Sequence, residues 1–167
     1  GDDLQDELQE AQAFVPCSRE DDIVEVLCGV LGVCPQTPSD GFVSPYAVSA
    51  ASYVKISDGC DRFCSFCAIP YIRGRYHSFS YEEVRAADEG VREITLIAQD
   101  TGRWGEDFEN PSTTARLLDG LASEFSDTWF RLMYIEPQGV TDELLDVISA
   151  HDNVCSYLDV PLQHASE

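Results

Sequence analysis

The sequence predicts an α/β fold built on a parallel sheet, and three observations carry that prediction. Short apolar runs alternate with amphipathic, helix-spaced segments from residue 50 onward. Strand, helix, strand, helix, strand, helix, strand is the pattern of parallel strands joined by crossovers. Each apolar run also leads into polar or special residues: a cysteine cluster, "AQDTGRWG", "EPQG" and "PLQHAS". Chemistry in such folds gathers beyond the carboxyl ends of the strands. Four loops converging on one rim mark a site more strongly than any one of them.

The elements follow in order. The spacing of Leu4, Leu8 and Ala11 predicts a short amphipathic helix over 4–14. Ser18 reads as an N-cap with Asp21 in the third helical position, opening a helix from about residue 20 to residue 31. Cys28 on that run reads as a small buried hydrophobe. The stretch "VCPQTPSDGFVSPYA" holds three prolines and a glycine in 15 residues and reads as a linker, with Cys34 incidental to it. "SYVKIS" (52–57) is the first strand and runs straight into the cysteines. Ser80 and Glu83 form a capping box for a helix over 81–89, closed by Gly90. "EITLIA" (93–98) is a buried strand, and Asn110-Pro111 reads as the start of the helix carrying Leu117, Leu118, Leu121 and Phe125. "FRLMYI" (130–135) is the third strand. Thr141, followed by Asp142 and Glu143, opens a helix with Leu144, Leu145 and Ile148. "YLDV" (157–160) is the fourth strand, and Cys155 sits on its approach with the thiol in the core.

Composition bounds the function. Of 167 residues, 44% are hydrophobic and 25% charged, an ordinary globular mixture. Ten basic residues against 31 acidic ones leave a net charge of −21, so the basic footprint of a nucleic-acid binder is missing. An acidic surface suits a basic protein partner, and a merely solvated surface fits as well. No run is long enough to span a membrane, and "GDDLQDELQE" is the opposite of a secretory signal. A cytoplasmic, reducing location follows. There, clustered thiols mean metal or redox chemistry more often than disulfides.

The cluster is CxxxCxxC, made of Cys60, Cys64 and Cys67. Structural zinc sites pair CxxC knuckles and use four ligands. No second knuckle follows here; His77 and His164 stand alone, and Cys155 is the one spare thiol downstream. Three thiolates on a 4Fe-4S cube leave one iron open, whereas an electron-transfer ferredoxin closes it with a fourth cysteine. An open iron is useful when something else must bind to it.

With an aromatic, Phe66, before its third cysteine and a strand ahead of it, this motif resembles the radical S-adenosylmethionine superfamily. "YVKISDGCDRFCSFCAIPYIRGRYHS", "VREITLIAQDTGRWGEDF", "FRLMYIEPQGVTDELLDVI" and "YLDVPLQHAS" are similar to its methylthiotransferase branch. "AQDT" and "PLQHAS" are most like the subgroup that modifies an aspartate of ribosomal protein uS12. The resemblance implies a partial (β/α) barrel over 50–167, broken off after its fourth strand. It also implies a linker over 33–49 and, in 1–32, the helical tail of an amino-terminal domain. It implies a 4Fe-4S cluster on Cys60, Cys64 and Cys67 whose open iron holds S-adenosylmethionine, and a second cluster held by cysteines ahead of Gly1. An electron donor of flavodoxin or ferredoxin type would feed the first cluster, and a 5′-deoxyadenosyl radical would open an unactivated carbon to methylthio insertion. On this view the 167 residues alone do not complete the reaction, and the first crossover helix is several residues short of the family pattern.

Individual roles follow with their alternatives. Phe66 shields the cluster near the adenine or is a plain core residue. Gln99 and Asp100 face cofactor or substrate, or cap a loop. Arg73 and Arg75 meet an anionic group or lie on the surface. Gln163 and His164 touch substrate or only end a strand, and no catalytic acid or base stands out. The rivals to the uS12 reading are transfer-RNA adenosine methylthiolation, an electron-transfer module, a zinc module and an inactive remnant.

Overall fold

A computed structural model describes residues 8–33, 50–86 and 91–163. It divides into two compact units, Gly1–Ala47 and Val48–Glu167. In the first unit, a 3-10 segment kinked at Arg19 (Cys17–Asp22) leads into helix α1 (Ile23–Leu31). Ser18 therefore lies inside the 3-10 turn and not ahead of a helix starting at 20. Residues 8–16 form a turn and extended chain, with Ala11 N–H donating to Leu8 O at 3.0 Å, so no helix continues over 4–14 among the described residues. Helix α1 buries none of its residues, and Ile23, Val24, Leu27 and Leu31 are all at least half exposed. Cys28 is only half-buried, a free thiol and not a core residue. Cys34, Leu4, Gly90 and His164 lie outside the described residues.

The second unit is a four-stranded parallel sheet in the order β1-β4-β5-β6. Its strands are β1 (Ala51–Lys55), β4 (Glu93–Ile97), β5 (Trp129–Leu132) and β6 (Val154–Leu158). Each parallel strand pairs with the next one in the chain and the order never reverses. That is barrel-type winding, unlike the reversal at the switch point of a doubly wound sheet. In register, Val54 stands beside Leu96 and Leu96 beside Leu132, while Ile94 stands beside Phe130 and Phe130 beside Val154. These six residues are all buried, and they share one core cluster with Leu117, Leu118, Leu121 and Leu144 from the crossover helices. Burying each such leucine contributes about 1.5–3 kcal/mol. Residues of opposite pleat, Tyr53, Thr95 and Arg131, align on the other face. There the Arg131 guanidinium meets Glu93 at 2.8 Å and the Cys155 thiol at 3.2 Å. Cys155 therefore belongs to β6 itself, half-buried beside a charge, and not to the core.

Three local details depart from the expectations. The first strand does not run unbroken to 57: after Lys55 the chain forms a two-residue ribbon, β2 (Ser57–Asp58) against β3 (His77–Ser78), antiparallel. Ile56 joins the two sheets, its N–H donating to Ile97 O and its carbonyl accepting from Phe79 N, each at 2.9 Å. Helix α3 (Tyr81–Ala86) opens with the expected box: Ser80 N–H donates to Glu83 Oε2 at 2.7 Å, and Glu83 N–H to Ser80 Oγ at 3.3 Å. A four-residue helix, α2 (Ile69–Ile72), closes the cysteine loop before it. Helix α4 (Thr114–Glu124) starts at Thr113 and not at Asn110-Pro111, because Thr113 Oγ1 accepts the Arg116 N–H at 3.2 Å. Thr141 caps α5 (Asp142–Ala150) as expected, accepting from Leu144 N at 3.2 Å.

Candidate functional site at the strand rim

The cysteine loop leaves the sheet through Asp58 and Gly59. Gly59 adopts φ +74°. A Cβ there would lie 2.1 Å from the Arg75 carbonyl oxygen, so only glycine lets the two ends of the loop meet. Cys60 N–H then donates to Gly74 O at 3.2 Å, and Cys67 N–H to Cys64 O at 3.0 Å. Asp58 anchors the base, accepting from Gly59 N–H at 2.9 Å and Lys55 Nζ at 3.2 Å, with Arg73 at 3.7 Å. Burial pushes its carboxyl up, but these partners outweigh that and hold it below its ordinary value. Arg73 is thus committed to the loop base. Arg75 pairs with Asp61 at 3.4 Å and lies over the Phe63 ring.

Cys60, Cys64 and Cys67 are free, half-buried thiols, and all three line one cavity of about 350 Å³. Ala98, Gln99 and Asp100 from the end of β4 share its wall, with Tyr134 and Glu136 after β5 and Pro161 and Gln163 after β6. The four rim loops named from the sequence do meet. Phe66 also lines the cavity but is 75% exposed, so it is not a core phenylalanine. Gln163 Nε2 reaches Glu136 Oε1 at 3.5 Å. His77 sits on the β2–β3 ribbon, outside the cavity wall.

Two residues of this wall each have a buried polar atom without a partner, Gln99 Oε1 and Asp100 Oδ1. Such orphaned acceptors are costly unless a ligand or water satisfies them. The other Asp100 oxygen accepts from Arg62 Nε at 2.8 Å, and Arg62 Nη1 donates to Gln138 Oε1 at 2.9 Å. Burial pushes the Cys60 thiol up; the Asp100 carboxylate and the other two thiols push the same way, against a hydrogen bond from the Arg62 N–H. Among the described residues no three His, Cys, Asp or Glu side chains converge on the position of a single ion. The soft sulfur donors of the three thiols suit iron–sulfur chemistry. In donor set the site therefore fits an iron–sulfur cluster.

A larger cavity, about 560 Å³, lies along the same rim between the starts of α4 and α5. It contains no thiol, and its Arg103 and Glu106 pair with each other at 2.8 Å. The smaller cavity is the chemical one. Sequence reasoning missed Arg62 and Gly59. The signals were the charged residue inside "CDRFC", complementary to the aspartate of "AQDT", and the glycine of "DGC".

A barrel-wound parallel sheet with three cysteines on the loop after its first strand is consistent with a partial fold of the radical S-adenosylmethionine type. No family model matches the chain. Comparison with characterised proteins is more specific. The ribosomal protein uS12 methylthiotransferase of Natranaerobius thermophilus is 35% identical over 98% of this chain and 40% of its own length. That of Syntrophus aciditrophicus is 47% identical over 70% of the chain and 27% of its own length, and that of Desulforudis audaxviator 42% over 83% and 31%. The chain belongs to the methylthiotransferase family that these relatives represent. It spans about two fifths of the first relative's length and less of the others'.

Proposed function

We propose that residues 50–167 are the cofactor-binding core of a uS12 methylthiotransferase, with Cys60, Cys64 and Cys67 as the ligands of a 4Fe-4S cluster. The observation that carries the reading is the meeting of three thiols around one cavity with Gln99 and Asp100, each of which has a buried oxygen without a partner. When bound, the cluster supplies the electron that cleaves S-adenosylmethionine to a carbon radical able to take hydrogen from an unactivated carbon.

The chain's own residues do the rest. Gln99 and Asp100 would offer their unpaired oxygens to the ammonium or hydroxyl groups of the cofactor, which would remove the cost of their burial. Phe66 and Tyr134 supply apolar surface that covers the cofactor and excludes water. Gln163 stands on the rim where a substrate side chain would enter. Residues 1–32 belong, on this reading, to the tail of an amino-terminal domain and 33–49 to a linker. The ribosomal substrate carries a cytoplasmic location with it. Among the described residues no helix is long and apolar enough to cross a membrane. A basic ribosomal protein also suits a chain of net charge −21.

The test is product analysis after anaerobic loading with iron and sulfide. The loaded, reduced chain should convert S-adenosylmethionine to 5′-deoxyadenosine and methionine. A chain that holds a full cluster yet leaves S-adenosylmethionine intact would overturn the reading. Joined to the remaining length of its relatives, it should add a methylthio mass to an aspartate of uS12. The same increment on transfer RNA alone would move the substrate assignment.

A further inference from the structure

We propose that Arg62 is a positioning residue that couples the three-cysteine loop to the buried Asp100 carboxylate on the loop after β4. The proposal rests on the cluster reading above. Arg62 lies between Cys60 and Cys64 in sequence, on the loop that carries the three thiols. Its side chain leaves the loop altogether. Nε reaches Asp100 Oδ2, 38 residues away after β4, at 2.8 Å, and Nη1 reaches Gln138, 76 residues away after β5, at 2.9 Å. One residue of the cysteine loop thus reaches two further rim loops.

The chemistry explains why that matters. The Asp100 side chain is 1% exposed, so its charge stays buried only because a guanidinium pairs with it. Arg62 occupies Oδ2, while Oδ1 is buried without a partner. The pair therefore fixes the orientation of the carboxylate, with Oδ2 paired and Oδ1 left as its unpaired acceptor. A planar fork with two separate acceptors fixes the angle of the loop as well as its distance, which an ammonium does less well. Without Arg62 the loop carrying the thiols and the carboxylate would no longer be held in one geometry.

Two arms test this. In the metal-free chain, Arg62→Gln and Asp100→Asn should each speed hydrogen exchange across residues 60–67, and the double variant should be no faster than either single one. In the iron-loaded chain, Arg62→Gln should keep its iron content. It should need about tenfold or more S-adenosylmethionine to half-shift the electron paramagnetic resonance signal, the worth of one charge-assisted hydrogen bond. Arg62→Lys should recover part of that loss. Wild-type exchange or a wild-type titration in Arg62→Gln overturns the proposal alone, the second because it reduces Arg62 to packing. A wild-type chain that takes up no iron overturns the cluster reading and the proposal with it.

Discussion

The backbone N–H of Thr101 donates to the carbonyl of Tyr134 at 3.1 Å, joining the loop after β4 to the loop after β5. The Thr101 hydroxyl, fully buried, adds bonds to Met133 O at 2.7 Å and Tyr134 O at 3.1 Å. Tyr134, in the left-handed region at φ 62°, in turn gives its N–H to Asp159 Oδ2 at 3.2 Å, next to β6. The rim is therefore stitched loop to loop, and the cavity wall inherits its shape from these bonds. Replacing Thr101 by valine keeps the volume and leaves the Met133 carbonyl without this donor. Urea unfolding should show a loss of about 1–3 kcal/mol. A loss below 0.5 kcal/mol, on the order of a surface change, would mean the stitch does not hold the rim.

Gly59 carries a sharper expectation. Its Cβ-filled version would collide with the Arg75 carbonyl, so Gly59→Ala must open the loop at its base. Iron uptake should collapse while the sheet still gives its circular dichroism signal. Gly74→Ala is the control: φ is +83° but nothing lies within 4 Å of the added carbon. Its cost should be the backbone term alone, about 1–2 kcal/mol, with iron uptake kept. Equal loss of iron in both variants would assign the effect to backbone strain and not to the collision.

The helix starts can be told apart by substitution. Thr113→Ala and Thr141→Ala should each cost about 1 kcal/mol, the worth of an N-cap hydroxyl. Asn110→Ala should fall within about 0.5 kcal/mol, as at an ordinary surface site. The reverse ranking in thermal unfolding would place the start of α4 three residues earlier.

The capping box predicts a pH dependence. The Ser80 hydroxyl and backbone N–H hold the Glu83 carboxyl below its ordinary value. A depressed carboxyl stabilises the fold fully above the ordinary glutamate range, progressively less below it, and not at all once pH has fallen through the depressed value. The stability difference between the chain and its Glu83→Gln variant should therefore be present at neutral pH and vanish in acid. Glu83 is exposed, so the effect is small and should shrink with salt. A difference that grows toward acid would reverse the sign of the argument.

The parallel strands were legible because "EITLIA" and "FRLMYI" are apolar runs of strand length, and the Ser80 and Thr141 caps because their partners lie three residues away. What escaped the sequence is nonlocal. The chain enters β6 at Val154, three residues early, after Asn153 Nδ2 donates to the carbonyls of Ala122, Phe125 and Thr128. Nothing near Asn153 in the sequence announces those partners. The β2–β3 ribbon has two residues a side, too few for a period to show. At the site, the three thiols were legible from spacing and Gln99 and Asp100 from their place after a buried run. Arg62 was not, because its partners lie 38 and 76 residues away.

The central claim is that Cys60, Cys64 and Cys67, and no other thiol of the chain, hold the cluster. Iron and sulfide per chain, measured after anaerobic loading, test it most directly. Alanine at any one of the three should abolish the wild-type cluster content. Alanine at Cys28 on α1, at Cys34 in the proline-rich stretch, or at Cys155 on β6 should leave it unchanged. Loss of the cluster in Cys155→Ala with retention in Cys64→Ala would contradict the account.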